Sequence, residues 1–229
     1  MPAKTPPELA GGTPALLGAG LRPAPGTRLW LVRHAEVEER YHWVFGGRMD
    51  IELSPRGHEQ AAALAGYLGQ RSFAAIYASP MKRVQQTLAP LMANGAPRPV
   101  VLQGLREVDV GDWTGLSWDE VRSKFGVSAF HWLDQIESDS IPNGEGARAL
   151  QARLEPCLRR IFQNHAGQRV AIFCHGGVIR MLLAMLLVFP LSKMAAFEIG
   201  YASITEVVFR PHRACVELLN FTPWRELAA

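Results

Sequence analysis

The sequence predicts an α/β fold, a single domain with a mostly parallel central sheet and helices on both faces. Short apolar runs of strand type alternate with helical segments from residue 28 onwards, a pattern typical of parallel sheets covered by helices. Residues 28–32 lead directly into Arg33 and His34, and residues 170–173 lead, after one cysteine, into His175. Ligands bind beyond the carboxyl ends of the strands in such sheets. We therefore expect both histidines in one site.

The individual elements follow from local patterns in chain order. Six runs are predicted to form strands: residues 28–32, 73–78, 100–102, 170–173, 203–209 and 214–221. Ser54-Pro55 and Ser79-Pro80 predict helix starts, with serine as N-cap and proline in the first turn. Residues 118–158 read as helices broken at Pro142-Asn143-Gly144, and Gly176-Gly177 is expected to begin a helix that runs to residue 187.

Composition limits the class of protein. The chain has 229 residues, of which 48% are hydrophobic, as is normal for one globular domain. Residues 1–27 carry several prolines and glycines and predict a flexible extension, which leaves 28–229 as the domain. The net charge of +3 includes no basic tract, so neither nucleic acid nor a membrane surface is an expected partner. The longest apolar stretch, residues 181–191, is shorter than the roughly 20 residues of a membrane span.

No cofactor is expected from the sequence. The three cysteines, Cys157, Cys174 and Cys215, lack metal-ligand spacing and are interpreted as reduced thiols of a cytoplasmic protein. The amino terminus is a poor secretory signal. There is no phosphate-binding loop, long dinucleotide fingerprint or metal-spaced cluster. Arginines would then neutralise an anionic substrate. The oligomeric state is left open, with a homodimer as one option.

His34 is the strongest candidate for catalysis. A neutral imidazole can attack phosphorus and hold the phosphoryl group covalently. Arg33 beside it would lower the pKa of His34 and bind phosphate oxygens through its planar fork. His175, protonated or as a neutral hydrogen-bond donor, could hold a phosphoryl oxygen where Gly176 and Gly177 open a helix N-terminus. Taken alone, each residue has an ordinary structural interpretation as a strand-end or turn residue.

Other candidates surround these residues. Arg83, in the first turn of a helix, can point back over the same sheet edge, and Glu107 follows the third strand as a candidate proton donor and acceptor. A surface arginine and a loop carboxylate are the ordinary alternatives. The loop after His34 is aromatic and glycine-rich. Arg40, Tyr41, His42 and Trp43 are expected to shape the mouth of the pocket, and Gly46 and Gly47 are expected to contact substrate with them.

Six sequence blocks, in order, resemble the histidine phosphatase superfamily, which contains cofactor-dependent phosphoglycerate mutases and many phosphomonoesterases. The blocks are Leu-Val-Arg33-His34-Ala-Glu36, Leu53-Ser-Pro-Arg-Gly57-His-Glu-Gln60, Ser79-Pro-Met-Lys-Arg83, Arg106-Glu107 with Gly111-Asp-Trp-Thr-Gly115, Pro142-Asn-Gly144-Glu145, and His175-Gly-Gly-Val-Ile-Arg180. The resemblance spans residues 29–221. It implies that His34 is phosphorylated, that Arg33, Arg83 and His175 form the phosphate pocket, and that Glu107 is the general acid and base.

Two positions depart from the family pattern. Arg40 stands where many members have asparagine, and Gly146 stands where many have serine. Both fall on the substrate side of the expected pocket, so they bear on specificity more than on chemistry.

Three functions are considered. The leading one is a metal-independent phosphomonoesterase acting on a small phosphorylated metabolite. The last block and the loop at Gly111-Asp-Trp-Thr-Gly115 most resemble α-ribazole-phosphate phosphatases and the broad-specificity bacterial phosphatases near them. The alternative is a phosphoglycerate mutase, which the 68 positions between Glu107 and His175 disfavour because family mutases carry a longer insertion there. A non-catalytic binding module ranks last, since every expected catalytic residue is present.

Overall fold

The computed structural model describes residues 23–227. Residues 1–22, most of the predicted extension, lie outside the described residues, as do 228 and 229. Within 23–227 six strands form one sheet: β1 (Arg28–Arg33), β2 (Ala75–Ala78), β3 (Val100–Val101), β4 (Arg169–Cys174), β5 (Ile204–Phe209) and β6 (Ala214–Phe221). The α-helices are α1 (Pro55–Leu68), α2 (Lys82–Ala93), α3 (Trp118–Phe125), α4 (Trp132–Glu137), α5 (Ala147–Asn164), α6 (Gly176–Leu187) and α7 (Pro223–Glu226).

The sheet is mostly parallel, as predicted. Its strand order is β3-β2-β4-β1-β5-β6, in which β3, β2, β4 and β1 run parallel and β5 and β6 add an antiparallel edge. β1 and β4 are paired neighbours, with Arg33 opposite Cys174, and the His34 amide extends the pairing by donating to the Cys174 carbonyl at 3.1 Å. This register places the residues after the two strands, His34 and His175, side by side.

Both faces of the sheet are buried along β1, β2, β4 and β5, whereas the edge strand β6 is partly exposed. Leu29 and Leu31 belong to the core on one face, and Trp30 and Val32 belong to the core on the other. Consecutive strand residues point to opposite faces, so a strand buried on both sides reads as a continuous apolar run. Helices α5 and α6 contribute to the first core and α1 and α2 to the second, which confirms helices on both faces.

The two predicted helix starts have different outcomes. Ser54 is the N-cap of α1, since its Oγ accepts from the Gly57 amide at 2.9 Å and Pro55 is the first helical residue. For α2 the predicted start at Ser79-Pro80 was wrong by two residues, because the helix begins at Lys82. The hydroxyl of Ser79 is instead hydrogen-bonded to a ring nitrogen of His175.

The strand boundaries and the start of α6 agree with the sequence prediction to within two residues, whereas α5 runs to Asn164, six residues beyond the predicted end at 158, and α7 was not predicted. The helical middle is broken by a turn at residues 141–144, and α6 begins at Gly176. Gly57 shows why one motif glycine is needed: a Cβ there would lie 2.0 Å from the Glu36 carbonyl oxygen. Among residues 23–227, no helix is both long enough and apolar enough to cross a membrane.

Candidate active site

The rings of His34 and His175 lie next to each other at the carboxyl edge of the sheet. Their centroids are 5.3 Å apart and their planes are tilted by 59°. Both side chains are buried, with 4% of His34 and none of His175 exposed. The sequence prediction that both histidines share one site is therefore consistent with the geometry.

His34 presents one free ring nitrogen. Its Nδ1 lies 2.8 Å from the carbonyl oxygen of Ala35. A carbonyl can only accept, so Nδ1 carries the proton and Nε2 keeps its lone pair. Burial, together with the charges of Arg83 and Arg33, holds the pKa of His34 well below its usual value. The ring is therefore neutral at physiological pH, as a nitrogen nucleophile must be.

His175 is a neutral hydrogen-bond donor in this site. The guanidinium of Arg83 donates through Nε to Nδ1 of His175 at 3.2 Å, so Nδ1 accepts and Nε2 carries the proton. Nε2 then donates to Oγ of Ser79 at 2.8 Å. Burial lowers the pKa of His175 well below its usual value, and the charge of Arg83 adds to the effect. Of the two states considered from the sequence, the structure favours the uncharged one.

Two arginines flank the histidines. Arg83 is 3% exposed and is held in place because its Nη1 and Nη2 donate to the carbonyls of Met49 at 2.8 Å and Gly47 at 2.9 Å. Burial lowers the pKa of Arg83 to about 10, which leaves it charged at neutral pH. Arg33 donates to the Ile199 carbonyl at 2.6 Å and stacks 4.1 Å over the ring of Tyr201. The buried Nε of Arg33 has no partner, so a donor remains for an anion.

Glu107 faces the amino end of α6. One carboxylate oxygen accepts from the Val108 amide at 2.9 Å, and the other accepts from the Gly177 amide at 3.4 Å. A Cβ on Gly177 would lie 2.7 Å from Glu107 Oε1, so only glycine leaves room for this carboxylate. The acid is thus fixed beside the glycines that follow His175.

A cavity of about 280 Å³ opens beside these groups, and His34, Arg83 and His175 are not among its lining residues. Its walls combine the predicted residues Arg33, Gly46, Gly47, Glu107, Gly176 and Gly177 with Val44, Phe45, Val108, Val110, Trp118, Trp132 and Arg180. The lining combines two arginines and four glycines with aromatic and aliphatic side chains. Such a site suits a small phosphorylated molecule.

The four predicted mouth residues lie outside this cavity. Arg40 is exposed, pairs with Glu38 at 3.0 Å and lies over the ring of Tyr41. Trp43 is 71% exposed and packs edge-on against the cavity residue Trp118. The ring of His42 lies 6.2 Å from that of Tyr201 and hydrogen-bonds to the carbonyl of Val37, not to the catalytic candidates. Their contact with substrate stays a prediction.

Sequence reasoning missed three side chains of the site. The sequence pattern predicts Ser79 as a helix cap, although Ser79 also belongs to the block Ser79-Pro-Met-Lys-Arg83 that resembles the family. Arg180 closes the His-Gly-Gly block but was given no role. Tyr201, whose ring lies 5.7 Å from that of His34, precedes β5 without any local signal. Within the described part of the chain, no group of three or more His, Cys, Asp or Glu side chains could hold a metal ion.

Gly146, the other departure from the family pattern, has a steric explanation. A Cβ at this position would lie 2.1 Å from a carboxylate oxygen of Asp139. The side chain of Asp139 therefore occupies the space that a serine at 146 would need.

Comparisons with known proteins agree with this geometry. Residues 29–222 match the model of the histidine phosphatase superfamily (branch 1). The chain is 29% identical over 195 residues to phosphoserine phosphatase 1 of Hydrogenobacter thermophilus, covering 85% of this chain and 92% of that protein. It is 30% identical over 194 residues to the adenosylcobalamin/alpha-ribazole phosphatase of Salmonella typhimurium, covering 84% and 96%. The solved structure of a mycobacterial glucosyl-3-phosphoglycerate phosphatase superposes with a TM-score of 0.76 at 26% identity, covering 84% and 98%.

Proposed function

Because this chain belongs to branch 1 of the histidine phosphatase superfamily and is a phosphatase, we propose that it hydrolyses a small phosphorylated metabolite through a phosphohistidine on His34, without a metal ion. The observation that carries the proposal is the pairing of the two buried histidines between Arg33 and Arg83. The free Nε2 of His34 supplies a nucleophile, and the surrounding donors supply an anion site.

In the first half-reaction, the Nε2 lone pair of His34 attacks phosphorus and a P–N bond forms. Arg33 and Arg83 hold the phosphoryl oxygens as the ester P–O bond breaks. His175, whose single N–H is donated to Ser79, accepts from Arg83 and keeps that guanidinium in position. Glu107, in its acid form, gives its proton to the leaving oxygen, and the alcohol departs. Glu107 is left as a carboxylate beside the phosphohistidine.

In the second half-reaction, a water molecule takes the place of the alcohol. Glu107 accepts a proton from the water as its oxygen attacks phosphorus, and the P–N bond breaks. The P–N electron pair returns to Nε2 of His34, inorganic phosphate forms, and Glu107 regains its acid form. Splitting one displacement into two lets the same carboxyl serve both halves.

The names of the relatives supply a substrate panel of phosphoserine, α-ribazole phosphate and glucosyl-3-phosphoglycerate. α-Ribazole phosphate is one candidate, since the aromatic walls formed by Phe45, Trp118 and Trp132 suit a flat ring. The panel also includes 3-phosphoglycerate, so that a mutase can be recognised.

The test measures phosphate release from this panel and from p-nitrophenyl phosphate by the wild type and His34→Ala. A second measurement uses ³²P-labelled substrate and a rapid quench into alkaline denaturant, in which the P–N bond survives. We expect phosphate release and a labelled protein for the wild type and for the exposed control His212→Ala, and neither for His34→Ala. Release from no ester, or label retained by His34→Ala, would refute the proposal. Interconversion of 2- and 3-phosphoglycerate without net phosphate release would identify a mutase instead.

A further inference from the structure

Arg180 lines the cavity together with Arg33, one of the two arginines assigned to the phosphoryl group. Arg180 stands one turn above Gly176 on α6, and its side chain reaches back towards the amino end of that helix. A Cβ placed on Gly176 would lie 3.3 Å from Nη1 of Arg180 and 3.5 Å from Nε of Arg33. The two guanidinium groups therefore flank the same point of the backbone.

Few of the N–H groups of the Arg180 guanidinium have a close hydrogen-bond acceptor. Its Nη1 and Nη2 donate to the carbonyls of Gly176 at 3.3 Å and Phe197 at 3.2 Å, which are long hydrogen bonds. Its Nε is buried without a partner. None of the ion pairs formed within residues 23–227 includes Arg180, whereas Arg153 on the neighbouring α5 is paired with Glu145 at 2.6 Å.

The electrostatics of Arg180 agree with this geometry. Burial, and then repulsion from Arg33, lowers the pKa of Arg180 to about 10, although the charges of Glu107 and Glu198 act to raise it. The side chain is still a cation at neutral pH, and a buried charge without an ion partner is costly. An anion that entered the cavity would remove that cost.

Counting charges points to the kind of anion. A phosphomonoester carries close to two negative charges at neutral pH, which Arg33 and Arg83 match. Glu107 is uncharged in its proton-donating form, so the charge of Arg180 is left over. One guanidinium pairs well with one carboxylate through two parallel hydrogen bonds. A cavity of about 280 Å³ leaves room for such a group only on a short carbon chain.

We propose that Arg180 binds a carboxylate of the substrate, so that the preferred substrates are phosphorylated carboxylic acids in which a short chain joins the two anionic groups. The inference rests on the proposed function, because it assumes that the phosphoryl group lies between Arg33 and Arg83. It favours esters such as phosphoserine and phosphoglycerate over α-ribazole phosphate, which has no carboxylate.

The test compares two esters that differ at one carbon. 3-Phosphoglycerate and glycerol 3-phosphate share a three-carbon chain and a phosphate, and only the first has a carboxylate. We expect the wild type to release phosphate from 3-phosphoglycerate with at least tenfold higher kcat/KM, because a charge-assisted hydrogen bond is worth about tenfold or more in affinity. Arg180→Gln should lower this ratio at least tenfold, and Arg180→Lys should lower it less, because lysine keeps the charge but not the fork.

Arg122→Gln is the matched control, because Arg122 is exposed on α3 and should leave the ratio unchanged. No carboxylate preference in the wild type, or equal slowing of both esters by Arg180→Gln, would overturn the inference. Equal slowing would mean that Arg180 only supports the segment that carries the Phe197 carbonyl.

Hydrolysis of p-nitrophenyl phosphate separates the two proposals. If the wild type cleaves it and the ratio test fails, the phosphatase assignment stands and the carboxylate site does not.

Discussion

His34 and Glu107 have separate tasks that can be distinguished by the leaving group. In the proposed mechanism, the lone pair on His34 Nε2 attacks regardless of the alcohol, whereas the proton on Glu107 matters only when the departing oxygen is strongly basic. Because the carboxylate is held by the amides of Val108 and Gly177, a glutamine there keeps the shape of the side chain but lacks the transferable proton.

We therefore expect Glu107→Gln to slow the first turnover of an alkyl phosphate by about 100-fold or more, the lower range for general acid catalysis. The first turnover of p-nitrophenyl phosphate should slow by less than about tenfold, because nitrophenolate leaves without protonation. Rapid mixing measures this step apart from the attack of water, which also needs Glu107. Asp112→Asn, an exposed carboxylate nearby, is the control. Equal slowing of both esters would contradict the role of Glu107 as proton donor.

Ser79 gives a second prediction at the scale of single residues. Its hydroxyl accepts the only proton of the neutral His175 ring, so Ser79→Ala leaves a buried N–H without a partner. We expect the free energy of unfolding to fall by about 1–3 kcal/mol, the cost of an unsatisfied buried donor. Ser79→Thr keeps the hydroxyl and should recover part of the loss. Urea titration in phosphate-free buffer measures both variants, and an unchanged midpoint for Ser79→Ala would argue against the hydrogen bond.

Helix α5 positions the loop that carries Glu107. Arg153 donates to the carbonyls of Gly104 at 2.5 Å, Arg106 at 2.7 Å and Glu107 at 3.2 Å, and it also binds the carboxylate of Glu145. The loop has little regular structure of its own, so these bonds from a rigid helix fix where the acid stands. Arg153 makes no hydrogen bond to either histidine, so we expect it to act mainly through Glu107.

We expect Arg153→Met to lower the free energy of unfolding by about 2–3 kcal/mol, less than for a fully broken buried pair because Arg48 still lies 3.4 Å from Glu145. It should also slow alkyl phosphates more than p-nitrophenyl phosphate, as a misplaced Glu107 would. Arg159→Met on the same helix removes only an exposed pair with Glu155 and should change neither property. Loss of stability without the leaving-group effect would show that Arg153 is structural only.

At the scale of the whole molecule, the site makes stability depend on pH. The pKa values of His34 and His175 are lowered in the folded protein, chiefly by burial, whereas each is about 6.5 in an unfolded chain. Above that pH both states are neutral and stability is unaffected. As the pH falls below about 6.5, these two histidines bind protons in the unfolded chain but not in the folded protein, so the free energy of unfolding decreases.

The free energy of unfolding should therefore fall between pH 6.5 and pH 5, by at most about 1.4 kcal/mol per pH unit for each histidine. Urea titrations in phosphate-free buffer measure this slope. The double variant His34→Gln/His175→Gln should flatten it, and the exposed control His212→Gln should not. A double variant with the wild-type slope would show that other groups set the pH dependence.

The sequence by itself determined the architecture and the candidates for catalysis. Continuous apolar runs mark strands buried on both faces, so β1 and β4 were predictable, and so was the placing of His34 and His175 directly after them. Only the structure shows why the motif has a glycine at Gly177, because a Cβ at this position would lie 2.7 Å from Glu107 Oε1. The apolar pattern of a strand can be read from residues that are adjacent in the chain. In a parallel sheet the carboxyl ends of paired strands lie side by side, so the residues that follow two such strands become neighbours.

Only the tertiary structure decided the protonation of His175, the role of the Ser79 hydroxyl and the place of Arg180 beside Arg33 in the cavity. Arg83 meets His175 across 92 positions of the chain, and Ser79 meets it across 96. Such contacts depend on side-chain direction and on which groups burial leaves without water. Local periodicity carries no information on either, which is why Ser79 was predicted as a helix cap and Arg180 was given no role.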